Sequence, residues 1–304
     1  MKWKKRGLIY GPDDHSGWRC HSALQPTPFL LSDTLIRVFV GFRDEEGVSR
    51  VGFVDLDARD PAKVLRVSSE PVLDTGALGM FDENGVVPCA VVRRNDELFL
   101  YYAGYQLGLK VKFFVFGGLA VSKDEGQSFR RYQRVPICDR TDREPYFRVI
   151  HSLLAENGVW RVWYGGGDAF SGKDGKQLPN YDIRYTESSD GLKMGENFTV
   201  CVPTTGEEYR VGRPYVIRTN DRYQMFFCAG MESTGYRLAY ADSFDGKNWI
   251  RKDGELGLSV SREGWESTMQ AYPSVIRVGG KMYLFYNGND YGREGFGMAE
   301  LMEA

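Results

Sequence analysis

The sequence contains few residues of the types that build metal centres and redox sites, with three histidines and five cysteines among 304 residues. No two cysteines follow CxxC spacing and no two histidines stand at the spacing of metal ligands, so we expect neither a metal nor a cofactor. The cysteines are odd in number and scattered, which indicates reduced thiols in a cytoplasmic protein.

Charge of one sign and long apolar runs are also absent. The 39 basic and 41 acidic residues give a net charge of −2, so no broad field attracts nucleic acid or an anionic membrane. No apolar run approaches the roughly 18 residues of a membrane span, and no apolar stretch follows the basic N-terminal residues as in a signal peptide. We therefore expect a cytoplasmic chain with neither nucleic-acid nor membrane partners.

One phrase recurs five times along the chain. It has an entry residue, usually proline, then an apolar run, a polar turn and a β-patterned strand that ends in an aromatic residue and glycine. The entry residues are Pro28, Pro88, His151, Pro214 and Pro273, spaced by 60, 63, 63 and 59 residues. Each interval accommodates about four strands of five to six residues with their turns.

This period predicts an all-β fold in which residues 1–304 form a single five-bladed β-propeller, with about four antiparallel strands in each blade. A β-sandwich is the competing all-β architecture, but nothing in a sandwich explains a repeat of this length. Turns such as Asp190-Gly191 and Asp245-Gly246, in which glycine supplies the positive φ, follow the third strand of their blades. No linker marks a second domain.

These phrases resemble those of the five-bladed propellers that act on sugars, including glycoside hydrolase families 32, 43 and 130. Residues 43–52 are similar to the first-blade signature of family 130 phosphorylases, which implies that Arg43 and Asp44 bind substrate. Residues 81–88, 144–147, 207–214, 264–269 and 286–289 resemble an uncharacterised group of propellers associated with bacterial surface-polysaccharide loci. The resemblance implies a carbohydrate or nucleotide-sugar ligand.

In such a propeller the residues just before each innermost strand line a central funnel. Polar side chains there can bind sugar hydroxyls, and aromatic rings can pack on sugar faces. The entry segments of all five blades carry side chains of these types, which predicts a polar pocket on the axis. The candidate ligand-binding residues from these segments are His21, Gln25, Glu83, His151, Glu208, Arg213, Trp265 and Gln270.

The same segments hold three candidate catalytic carboxylates, Asp82, Glu144 and Glu266. One would donate a proton to the leaving oxygen, and another would activate water or a different nucleophile. The resemblance to family 43 implies an Asp in blade one, an Asp in blade two and a Glu in blade three. Asp82 and Glu144 fit the last two positions, whereas blade one carries Gln25, which cannot act as a base.

Three functions remain open at this point. The first is glycoside hydrolysis or glycosyl transfer with funnel carboxylates. The second is carbohydrate binding without catalysis, which the missing acid of blade one favours unless Asp13 or Asp14 replaces it. The third is phosphorolysis, for which Arg213 and His151 are the candidate phosphate ligands. Phosphate dependence separates phosphorolysis from hydrolysis, and binding without turnover identifies the second function.

Overall fold

The computed structural model describes residues 1–12, 17–172, 177–219 and 221–303, so Asp13 and Asp14 lie outside the described residues. Regular structure in these ranges is almost entirely β-strand, as the aromatic and β-branched content favours. The helical segments described are two 3₁₀ turns (Gly17–Arg19 and Asp253–Glu255) and a short helix α1 (Asn289–Gly292). None of these is long and apolar enough to cross a membrane. The predicted all-β class is confirmed.

The described strands form three sheets, of four, twelve and four strands. Within the twelve-stranded sheet two short parallel pairings join three antiparallel groups, so antiparallel pairing gives five units in all. Unit one contains β2 (His21–Ser32), β3 (Leu35–Arg43), β4 (Ser49–Asp57) and β5 (Asp60–Val67). Unit two contains β6 (Val86–Arg94), β7 (Glu97–Leu107), β8 (Phe113–Ser122) and β9 (Arg130–Arg131). Unit three contains β10 (Phe147–Glu156), β11 (Val159–Ser171), β12 (Leu178–Ser188) and β13 (Thr199–Val202).

The last two units are built in the same way. Unit four contains β14 (Glu208–Arg218), β15 (Tyr223–Met231), β16 (Gly235–Ser243) and β17 (Ile250–Arg251). Unit five contains β18 (Ala271–Val278), β19 (Lys281–Asn287), β20 (Phe296–Glu303) and the N-terminal strand β1 (Lys2–Tyr10). Strand β1 pairs antiparallel with β20, which places Lys2 opposite Glu303 and joins both ends of the chain in one sheet.

The first strands of the five units contact one another in a ring. Strand β2 contacts β6, β6 contacts β10, β10 contacts β14, β14 contacts β18, and β18 returns to β2. A propeller with five blades requires this cycle of contacts. The number of blades stays a prediction, and the ring supports it.

Apolar side chains fill the spaces between neighbouring units. Ile36 of unit one packs in one cluster with Phe285 and Met298 of unit five. Trp163 of unit three packs with Met225 of unit four. Burial of such side chains stabilises the fold by about 25 cal/mol for each Å² of apolar surface removed from water. Because this core is distributed between the units, the axis remains free for polar groups.

The turns predicted from Asp-Gly pairs also connect neighbouring units. The backbone N–H of Gly191 donates to the Ser188 hydroxyl at 2.9 Å, and its φ of 70° lies in the left-handed region. The carbonyl of Gly191 accepts a hydrogen bond at 2.9 Å from the Tyr101 hydroxyl of the preceding unit. The Trp163 indole N–H donates in the same way to the Gly246 carbonyl at 2.8 Å. Each turn therefore fixes the position of its own unit against the one before it.

Candidate functional site

A cavity of about 310 Å³ lies where the five units meet, because every unit contributes to its wall. Unit one contributes Gln25, unit two Tyr105, unit three His151, unit four Arg213 and unit five Tyr272. This volume is at the lower end of the range for small-ligand pockets, roughly 300–1,000 Å³. The cavity is the candidate functional site.

Each innermost strand has an irregular register at the cavity. The residues at these register shifts are Gln25 in β2, Cys89 in β6, His151 in β10, Arg213 in β14 and Tyr272 in β18. A β-bulge of this kind takes a residue out of the ladder and re-aims its side chain. All of these residues except Cys89 line the cavity. The fold therefore uses one local device, repeated around the ring, to present side chains to the axis.

Strained backbone is concentrated at the same place. Nine described non-glycine residues have a positive φ, and five of them line the cavity: Gln25, Arg213, Tyr272, Asp290 and Tyr291. The left-handed conformation costs an L-residue about 1–2 kcal/mol. Three of the five, Gln25, Arg213 and Tyr272, precede a proline. Proline has no N–H to donate, and at a bulge the ladder needs no hydrogen bond from that position. Such strain persists where the surroundings enforce it, and it is typical of binding and active sites.

Hydrogen bonds between units hold the bulges in position. The Arg213 guanidinium donates to the Cys89 carbonyl at 2.6 Å and to the Thr27 hydroxyl at 2.9 Å. The backbone N–H of Gln25 donates to Oδ1 of Asn287 at 2.8 Å. These contacts connect units four, two, one and five across the axis, so the cavity wall is preorganised before any ligand binds.

His151 is a neutral imidazole in this wall. Its side chain is 5% exposed, and burial, followed by the positive charge of Arg213, lowers its pKa well below the usual value. Its Nδ1 has no hydrogen-bond partner among the described residues. A neutral imidazole offers one donor and one acceptor. His151 can therefore bind a ligand hydroxyl but does not supply a positive charge near neutral pH.

Tyrosines supply most of the aromatic surface of the cavity. Tyr181 stacks on Phe147 with ring centroids 4.2 Å apart and an interplanar angle of 12°. The hydroxyls of Tyr181 and Tyr236 lie 2.6 Å apart and share a hydrogen bond. Burial raises the pKa of Tyr105 to about 12, so its phenol stays protonated at physiological pH. The wall thus combines flat apolar rings with phenolic donors, the combination that sugar faces and hydroxyls require.

The three predicted catalytic carboxylates are not among the residues that line the cavity. Asp82 and Glu144 are inaccessible to solvent, and Glu266 is 3% exposed. Each accepts a hydrogen bond from the tyrosine twenty residues further along the chain. The pairs are Asp82 with Tyr102 at 2.9 Å, Glu144 with Tyr164 at 2.9 Å and Glu266 with Tyr286 at 2.8 Å. The same network therefore occurs in units two, three and five.

A cationic side chain completes each of these networks. The ion pairs are Asp82 with Arg131 at 2.7 Å, Glu144 with Arg148 at 2.8 Å and with Arg184 at 3.1 Å, and Glu266 with Lys5 at 3.1 Å. A buried carboxylate that is paired and hydrogen-bonded in this way holds chain segments together. The geometry favours a structural role for the three acids, and their catalytic role stays a prediction.

Two further candidates belong to the Glu266 network rather than to the cavity wall. Nε2 of Gln270 donates to Oε2 of Glu266 at 2.6 Å, and Gln270 is inaccessible to solvent. The Trp265 ring stacks on Tyr286 with centroids 5.3 Å apart. Both side chains therefore pack around a buried carboxylate.

The other acidic candidates make local contacts outside the cavity wall. Asp44 accepts hydrogen bonds from the Val48 N–H at 2.8 Å and from Arg50 at 2.6 Å. Glu83 accepts from the Gly79 N–H at 2.7 Å. Glu208 forms an ion pair with Arg251 at 2.8 Å. These contacts stabilise turns and unit edges.

Four of the predicted ligand-binding residues line the cavity, namely Gln25, Arg43, His151 and Arg213. His21 lies beside it, because His21 pairs with the wall residue Arg43 across strands β2 and β3. Burial is the main cause of the lowered pKa of His21, and its Nδ1 lies 2.8 Å from the Ser22 hydroxyl. The structure therefore brings together the predicted residues at or next to the bulges.

Much of the wall was not predicted from the sequence. The unpredicted polar and aromatic members include Tyr105, Lys112, Phe113, Tyr181, Arg210, Tyr236, Tyr272, Asp290 and Tyr291. Tyr272 had a usable signal, because it precedes Pro273 as Gln25 precedes Pro26 and Arg213 precedes Pro214. The others lie on second or third strands, in a loop, in the short helix α1, or near a strand start as Arg210 does, and the repeated phrase gives no orientation at these places.

Among the described residues, no group of three or more His, Cys, Asp or Glu side chains is placed to hold a metal ion. The described wall residues offer hydrogen bonds, aromatic contacts and positive charge. Asp290 is the only carboxylate among its described members.

Solved structures share this architecture. A thermostable family-43 glycoside hydrolase superposes with a TM-score of 0.69 at 16% identity, covering 97% of this protein and 93% of that one. A GH43_1 enzyme from Xanthomonas citri complexed with xylose superposes with a TM-score of 0.66 at 14% identity, covering 98% and 90%. The fold is that of a GH43-like β-propeller.

No protein-family model matches the chain. A curated protein is similar to the chain over nearly its whole length. This relative, "Uncharacterized protein Rv1502" of Mycobacterium tuberculosis (strain ATCC 25618 / H37Rv), is 34% identical over 303 residues, which are 99% of each sequence. The chain belongs to the same family as this mycobacterial protein.

Proposed function

We propose that the chain binds carbohydrate in the central cavity without hydrolysing it. The observation that carries this proposal is the ring of bulges, which presents four polar side chains to one cavity. They are the amide of Gln25, the imidazole of His151, the guanidinium of Arg213 and the phenol of Tyr272. These groups bind sugar hydroxyls, and the tyrosine rings between them fit sugar faces. The solved structure of the Xanthomonas citri enzyme with xylose supports the same class of ligand.

Hydrolysis by paired carboxylates has less support. That mechanism needs two carboxyl groups about 5–9.5 Å apart on either side of the glycosidic bond. Asp290 is the only carboxylate among the described wall residues, while Asp82, Glu144 and Glu266 are held in buried networks. The geometry therefore favours binding over hydrolysis.

A phosphate-dependent reaction is the second candidate. The observation that favours it is the presence of Arg43, Arg210 and Arg213 in the wall. In phosphorolysis the phosphate replaces water as nucleophile, so that one proton donor can suffice, and guanidinium groups are well suited to bind phosphate.

Calorimetry against a panel of monosaccharides, oligosaccharides and nucleotide sugars tests the proposal. We expect saturable binding by the wild-type chain and binding weakened about threefold to tenfold in Tyr105→Phe, because one hydrogen bond from the cavity wall is lost. Tyr132→Phe is the matched control, since Tyr132 is 51% exposed and is not a wall residue.

Turnover assays on the same panel, with and without inorganic phosphate, separate the candidates. Binding without turnover supports the proposed function, and turnover that requires phosphate supports the second candidate. Phosphate-independent hydrolysis that disappears in Asp82→Asn, while this variant still folds and binds, would contradict the proposal. Failure of every sugar to bind would contradict it as well.

A further inference from the structure

The charge of the cavity wall is predominantly positive. Four cationic side chains line it, those of Arg43, Lys112, Arg210 and Arg213. The carboxylate of Asp290 is the only negatively charged side chain among the described wall residues. Arginine keeps its charge in proteins. Since the whole chain carries a net charge of only −2, the excess of positive charge is a local property of this site.

Comparison with the other buried arginines shows that two of these residues lack a counter-ion. Five described arginines are less than 9% exposed: Arg37, Arg148, Arg184, Arg210 and Arg213. Arg37 forms an ion pair with Asp55, and Arg148 forms one with Glu144. Arg184 pairs with both Glu144 and Asp182. Arg210 and Arg213, which are 6% and 2% exposed, form no ion pair with a described carboxylate.

Neutral groups satisfy these two guanidiniums only in part. Arg210 donates through Nε to the Pro179 carbonyl at 3.0 Å, its guanidinium lies over the rings of Tyr209 and Tyr181, and the Tyr236 hydroxyl is a further hydrogen-bond partner. Arg213 donates to a carbonyl and a hydroxyl. Nη2 of Arg210, Nε of Arg213 and Nε of Arg43 are buried without a hydrogen-bond partner among the described residues. Burying a charge without a partner of opposite sign is costly. A ligand in the cavity can supply the missing negative charge.

Tyr105 lies in the same cavity wall as Arg43 and Arg210. The positive charges of both Arg43 and Arg210 act on it and oppose the effect of burial on its pKa. Arg43 belongs to unit one, Tyr105 to unit two, and Arg210 to unit four. Guanidiniums from two units that are not neighbours in the ring thus line the same cavity of about 310 Å³ as Tyr105, and a ligand that fills this cavity meets both of them.

We infer that the carbohydrate ligand carries an anionic group, a carboxylate or a phosphate, which Arg43 and Arg210 bind beside Tyr105. This inference rests on the proposed function and specifies the class of ligand. Arg213 adds positive charge and anchors the bulges through its bonds to Cys89 and Thr27. The neutral His151 and the tyrosines remain available for the hydroxyls of the sugar.

Calorimetry with matched ligands tests the inference. The probes are glucose, galactose and mannose, the uronic acid and the 1-phosphate of each, UDP-glucose, and inorganic phosphate. We expect at least one anionic sugar to bind about tenfold or more tightly than its neutral parent, because a hydrogen bond to a charged group is the stronger kind. Arg210→Gln and Arg43→Gln should each remove most of this preference. Arg59→Gln, at an exposed position outside the wall, should retain it.

The outcomes distinguish this inference from the function on which it rests. A uronic acid as the preferred probe identifies a carboxylate, and a 1-phosphate or UDP-glucose identifies a phosphate. Neutral and anionic sugars that bind equally well, or a preference that survives both arginine variants, would overturn the inference and leave carbohydrate binding intact. Binding of inorganic phosphate alone, lost in Arg210→Gln, would support the anion site and contradict carbohydrate binding. Failure of every probe to bind would overturn both.

Discussion

His151 and Arg213 are turned into one cavity from neighbouring units, and the charge of Arg213 adds to burial in lowering the pKa of His151. Each residue stands at a bulge in the first strand of its unit. The same local irregularity therefore both presents the two side chains and sets the protonation state of one of them.

This relationship predicts how stability depends on pH. In the unfolded chain His151 takes up a proton near its ordinary pKa of about 6.5, whereas in the folded chain it stays neutral to a lower pH. The free energy of unfolding should therefore fall as the pH is lowered from about 7 to 5.5. His151→Gln should flatten this dependence. Urea denaturation at three pH values measures it.

His21→Gln is the comparison for that experiment. The pKa of His21 is also lowered, but its ring is only half-buried, so the variant should flatten the pH dependence less. An unchanged slope in His151→Gln would contradict a buried neutral imidazole at this position.

The Glu144 network predicts a loss of stability rather than a loss of binding. Glu144→Gln leaves the buried guanidiniums of Arg148 and Arg184 without this carboxylate, and it should destabilise the chain by about 3–5 kcal/mol. Tyr164→Phe removes one neutral partner of the same carboxylate and should cost about 1–3 kcal/mol. Denaturant unfolding gives both values.

Glu263→Gln, at an exposed position, is the matched control and should change stability little. Sugar binding by the folded fraction of Glu144→Gln should remain close to that of the wild type. A variant that is as stable as the wild type but has lost turnover would instead restore Glu144 as a catalytic residue.

The buried thiols should not react in the native chain. Burial raises the pKa of Cys89, Cys138, Cys201 and Cys228 to about 12 in each case. The thiolate is the reactive form, so these four should resist a disulfide reagent at pH 8. Cys20 is half-buried and should account for the native reaction.

Spectroscopic thiol titration before and after denaturation checks this, with all five cysteines reacting in the unfolded chain. Rapid reaction of a second thiol in the native chain, mapped to Cys89, would contradict this prediction. It would show that the bulge of unit two carries a reactive thiol.

The sequence predicted the repeat because turns and strand ends are encoded locally. Membership of the entry segments identified Gln25 and Arg213, and both proved to lie at bulges beside the cavity. The orientation of Arg210 and Tyr181 depends on pairing between β12 and β14, in separate units, which local patterns do not contain. Asp82 has the chemistry of a catalytic acid, but tertiary contacts surround it with Tyr102 and Arg131.

Steric access to the cavity gives the last prediction. Gly212 lines the wall, and a Cβ at this position would come within 2.6 Å of the Tyr181 ring. Gly212→Ala should therefore displace Tyr181 from its stack on Phe147 and weaken sugar binding about tenfold or more, with a stability cost of about 1–3 kcal/mol. Gly254→Ala is the control, because its Cβ would meet no atom within 4 Å. Calorimetry and denaturant unfolding on both variants separate the two effects. Undiminished binding in Gly212→Ala, with the fold intact, would place the ligand away from Tyr181 and from this side of the cavity.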